Sequence, residues 1–77
     1  MLTGEQIRAA RALARWGQAD LARAADVSVE TVKRLEKTHG EVRANLKTES
    51  AIIRAFEGAG VVFDLFKGLG PGARCVR

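Results

Sequence analysis

Residues 28–37 read SVETVKRLEK, and at helical spacing they project Glu30, Thr31, Lys33, Arg34 and Lys37 outward while Val32 and Leu35 turn inward. Arg and Lys are pure hydrogen-bond donors, Glu is an acceptor, and Thr is both. Such a set suits non-covalent recognition of a polar surface. Covalent chemistry has little to draw on elsewhere. The chain holds one His (His39), one Cys (Cys75) and no Tyr, and it contains no Ser/His/Asp set, phosphate loop or carboxylate–histidine pair. The expectation is a protein that is not an enzyme and binds no cofactor. One Cys excludes an internal disulfide, and one Cys with one His is too small a set of soft ligands for a metal site. His39 reads as a solvent-facing helix end. Cys75, with only Arg74 and Arg77 beside it, reads as passive.

The elements that must hold the outward face follow from caps and periodicity. Residues 1–16 read as a helix. Thr3 and Gln6 form a capping box, Leu2 and Ile7 a hydrophobic staple, and Ile7, Ala10, Leu13 and Ala14 an apolar stripe, with Gly17 as the stop. Arg8, Arg11 and Arg15 form a second stripe, read as a solvated face in preference to a DNA-backbone contact. Trp16 reads as a core or rim residue. Residues 18–25 form a short second helix with Gly17 as N-cap and Asp20 in its first turn. Asp26 and Val27 break the pattern, and Ser28 caps a third helix that Thr38-His39-Gly40 ends. After a loop, Thr48 or Asn45 caps a fourth helix carrying Ile52, Ile53, Ala55 and Phe56, closed by Gly58 and Gly60. Val61-Val62-Phe63 is β-prone, and Gly68-Leu69-Gly70-Pro71-Gly72 is a turn cluster. The tail is either a hairpin or a single strand with a loose end.

At 77 residues the chain is expected to be one domain with a thin stability margin. Its 47% hydrophobic and 29% charged residues fit a globular protein, not a disordered one. A net charge of +4 and a pI near 10.0 favour a polyanionic partner. No 18-residue apolar run and no secretory h-region are visible, so no membrane partner and a cytoplasmic location are expected.

Two short helices joined by a tight turn, the second with a basic outer face, match the physical form of a helix-turn-helix unit. Ala22 falls where the helices must approach closely, Leu21, Val27, Val32 and Leu35 fix their angle, and Asp26 takes the left-handed turn position. The stretch QADLARAADVSVETVKRLEK (18–37) resembles the helix-turn-helix of the lambda-repressor-like family, the Cro/cI or XRE group of small bacterial regulators. AGVVF (59–63) and GPGAR (70–74) are similar to the way such chains end. Asp26 stands where the family usually has glycine, and Gly17 where it often has Ser or Thr.

The resemblance implies a mainly α fold: a compact four- or five-helix DNA-binding domain over residues 1–60, with a motif at 18–37 and a recognition helix at about 28–38. Residues 61–77 would be a short β tail and a candidate dimerisation segment, the alternative being that the tail folds onto its own core. It further implies a transcriptional repressor or regulator that binds double-stranded DNA as a homodimer on an inverted repeat. Gln18 would contact a phosphate and buttress the recognition helix. Ser28, Val29 and Glu30 would enter the groove, Lys33 and Arg34 follow one turn on, and Arg43 would reach the flanking backbone. Arg or Lys can bond guanine O6/N7, Glu can accept from cytosine N4, and Val can pack on a thymine methyl, while Thr31 suits a phosphate or a base. Glu30 is expected to reject wrong sequences more than to add affinity. The alternative reading is an antitoxin or protein-interaction adaptor that keeps the fold and takes a protein partner.

Overall fold

The computed structural model describes residues 2–37, 45–64 and 72–75. They form four helices, α1 (Gly4–Ala14), α2 (Gln18–Ala25), α3 (Val29–Glu36) and α4 (Leu46–Gly58), followed by strands β1 (Val61–Asp64) and β2 (Gly72–Cys75). The protein is thus mainly helical. The Thr38-His39-Gly40 stop, Arg43 and the turn at Gly68–Pro71 lie outside the described residues. No helix among the described residues is long and apolar enough to cross a membrane.

Helices α1, α3 and α4 start at a side chain that accepts from the backbone amide three residues on, and α2 starts at Gly17 with only the reverse bond. At α1 the Thr3 Oγ1 accepts from Gln6 N–H at 3.0 Å and Gln6 Oε1 accepts from Thr3 N–H at 2.8 Å. Leu2 and Ile7 are both buried, as the staple requires. At α2 the Asp20 carboxylate accepts from Gly17 N–H at 2.8 Å. Ser28 Oγ accepts from Thr31 N–H at 3.1 Å at α3, and Asn45 Oδ1 accepts from Thr48 N–H at 2.8 Å at α4. Of the two cap candidates for α4, Asn45 is therefore the one used.

Helix α1 ends two residues earlier than its sequence pattern suggests. Arg15 takes the left-handed conformation (φ 59°, ψ 41°), Trp16 N–H donates to Arg11 O, and Arg15 N–H donates to Ala12 O. This paired closure terminates the helix without glycine. It turns Trp16 off the helix and stacks it on Phe56, with ring centroids 5.3 Å apart. Phe56 in turn meets Phe63 edge-on at 5.6 Å. Leu13, counted in the apolar stripe, is 42% exposed, because the buried side of α1 runs through Ile7 and Ala10.

The core joins all four helices and the ribbon: Leu2, Ile7 and Ala10 from the first, Leu21, Ala22 and Ala25 from the second, Val32 and Leu35 from the third, Ile52 and Phe56 from the fourth, and Val61. The strands pair antiparallel with Val61 opposite Cys75 and Asp64 opposite Gly72, so the tail is a two-stranded ribbon. Val61 is fully buried and Phe63 packs on the core. The start of the tail is therefore part of the helical domain's own core.

Candidate nucleic-acid interface

The α2–α3 unit is built by a three-residue turn, Asp26-Val27-Ser28. Asp26 has φ 58° and ψ 46°, Val27 N–H donates to Ala22 O, and Asp26 N–H donates to Arg23 O. This is the same closure as at the end of α1, and the aspartate occupies the position that glycine would hold with less strain. Val27 packs against the core. Buried Leu21, Ala22 and Ala25 face buried Val32 and Leu35, which sets the angle between the two helices.

With Val32, Leu35 and Glu36 inward, α3 turns Glu30, Lys33, Arg34 and Lys37 outward as one continuous exposed face at i, i+3, i+4 and i+7. Thr31 is half-buried, and its hydroxyl lies 2.9 Å from that of Ser28, so the two hydroxyls are engaged with each other at the helix start. Val29 is half-buried and packs on the core, which turns part of its side chain away from the open face. Arg43 lies outside the described residues.

Glu36 is the residue that sequence reasoning missed. It is only 4% exposed and sits where α1, α2 and α3 meet. Arg11 donates to both of its carboxylate oxygens, Nε at 2.6 Å and Nη2 at 2.9 Å, while Arg11 Nη1 donates to Trp16 O at 3.1 Å. Gln18 Nε2 donates to Glu36 Oε1 at 3.1 Å, and Arg8 Nη1 donates to the Glu36 backbone carbonyl. The arginine stripe of α1 is therefore not simply solvated: Arg8 and Arg11 tie α1 to the end of α3, and only Arg15 stays out as a helix terminus. Gln18, at the first position of α2, is thereby tied to the end of α3. The hydrogen bonds that Arg11 donates to Glu36 hold its guanidinium protonated above its ordinary range, against the opposing effect of burial, with the carboxylate charge adding to the rise. Among the described residues no buried side-chain polar atom lacks a partner.

Beside this node an open cleft of about 570 Å³ is lined by Arg8, Gln18, Lys33, Glu36 and Lys37. It adjoins the exposed face of α3 through the two lysines. No protein-family model and no curated protein matches this chain.

Proposed function

We propose that the protein is a sequence-specific DNA-binding transcriptional regulator of the lambda-repressor-like helix-turn-helix type. It inserts α3 into the major groove from its Ser28 end and acts as a homodimer on an inverted repeat. The observation that carries this reading is the exposed face Glu30–Lys33–Arg34–Lys37 on a short helix whose opposite side is locked to α2 and, through Glu36, to α1. A well-anchored helix with donors and one acceptor on its exposed face suits base-edge recognition in the major groove. Arg34 suits a guanine, and Glu30 suits a cytosine amino group while disfavouring other bases. One such helix covers only a few base pairs, so two copies related by a two-fold axis supply the affinity.

Fluorescence anisotropy with labelled duplexes tests the reading. Affinity should fall steeply with salt, and Arg34→Ala should relax preference at one base pair by about 1–3 kcal/mol. Salt-independent binding, or no binding to any genomic fragment, would refute it.

A further inference from the structure

We propose that the cleft between α1, the start of α2 and the last turn of α3 is a binding site for a phosphate-type oxyanion, held by Arg8, Lys33 and Lys37. Three of its five lining residues are cations, and they come from two different helices. Lys33 on α3 and Lys37, the C-cap of that helix, are four residues apart, so they share one wall of the cleft. Arg8 enters from α1. Its Nη1 is anchored on the Glu36 carbonyl, which fixes the guanidinium beside the end of α3 and leaves the rest of its donor fork for a ligand.

The one lining carboxylate does not neutralise this set. Glu36 is already matched by the two-point bond from Arg11, which stands behind the cleft and is not part of its lining. The lining therefore presents a surplus of positive charge. Gln18 spends one amide hydrogen on Glu36 and has a second to donate. A compact, multiply charged tetrahedral anion accepts from several directions at once, which a planar monocarboxylate does less well. Lysine as a point charge and arginine as a fork are the usual donors to phosphate.

The phosphate group has two sources, a free phosphate ester or the backbone of a bound duplex. The second rests on the DNA-binding reading above, and the first does not.

The test uses the full chain as wild type, Lys33→Gln, Arg8→Gln and, as a charge-matched control on α4, the exposed Arg54→Gln. Amide shifts are followed by NMR while pyrophosphate replaces chloride at constant ionic strength. Saturable shifts confined to the neighbourhood of Arg8, Gln18, Lys33 and Lys37 are expected, with affinity at least about tenfold weaker in Lys33→Gln and Arg8→Gln and unchanged in Arg54→Gln, since each lost donor is a charge-assisted one. The same proteins are titrated with random-sequence duplex over a salt series, where the salt slope should fall by about 1 in the two cleft variants only. Pyrophosphate binding without a duplex effect supports the site and names a free phosphate ester as its source. A duplex effect without saturable pyrophosphate binding supports it and names the DNA backbone. If neither assay separates the cleft variants from Arg54→Gln, the site is overturned, even if the duplex still binds through Arg34.

Discussion

Glu36 shows how a single residue can fix a surface it does not belong to. Its carboxylate collects donors from α1 and α2, and its backbone carbonyl takes Arg8, so the C-terminal end of α3 is tied at three points. Removing one partner from a buried, hydrogen-bonded ion pair costs about 3–5 kcal/mol. A 77-residue domain has about 4–12 kcal/mol of stability to lose. Glu36→Ala should therefore take away much of the fold's stability in urea unfolding, whereas Lys33→Ala on the open face should shift it by less than about 0.5 kcal/mol. An Glu36→Ala protein within about 1 kcal/mol of wild type would show that the node is only a surface ion pair. The raised pKa of Arg11 gives stability present below its unfolded value and lost only as pH rises past it, so Arg11 brings no pH dependence between pH 5 and pH 9. The node was half legible in the sequence. Glu36 follows Val32 by four residues, which places it on the inner side of α3, and Arg8 and Arg11 share a face of α1. Which carboxylate those arginines would meet depends on how α1 crosses α3, and spacing along one helix does not contain that.

At the scale of elements, α1 and α2 end in the same way, each with a non-glycine residue held at positive φ, Arg15 at 59° and Asp26 at 58°. A left-handed L-residue costs roughly 1–2 kcal/mol, less for Asp, and glycine recovers part of that while adding entropy to the unfolded chain. Asp26→Gly should stabilise the protein by about 0.5–1 kcal/mol, a rise in Tm of roughly 4–8 °C per kcal/mol for a domain this small. Calorimetry checks it, and a lower Tm would mean that the Asp26 side chain contributes more than its backbone strain costs. The caps were the most legible part of the fold, since Thr3, Ser28 and Asn45 each act within three residues of themselves. The end of α1 was less so. Arg15 leaves the helix without a glycine because the closure lets Trp16 reach Phe56, forty residues on, and a contact that distant leaves no local signal.

At the scale of the whole molecule, the helices and the β ribbon enclose one core, with Trp16, Phe56 and Phe63 in series joining the α1–α2 linker, α4 and β1. Hydrophobic periodicity anticipated most of that core. It left the tail open, because Val61-Val62-Phe63 reads equally as a pairing strand or a core strand until Val61 is seen buried beneath its own helices. This scaffold holds α3 through Val32, Leu35 and Glu36 and leaves Glu30, Lys33, Arg34 and Lys37 exposed. Selection of bound duplexes from a random DNA pool, with wild type and Arg34→Ala run in parallel, tests the proposal that α3 reads base sequence. The expected result is an enriched motif for wild type, two inverted half-sites with centres about 10–10.5 base pairs apart, and loss of preference at one position of each half-site for Arg34→Ala. A folded wild-type protein that enriches no motif, or a motif that Arg34→Ala leaves intact at every position, would contradict it.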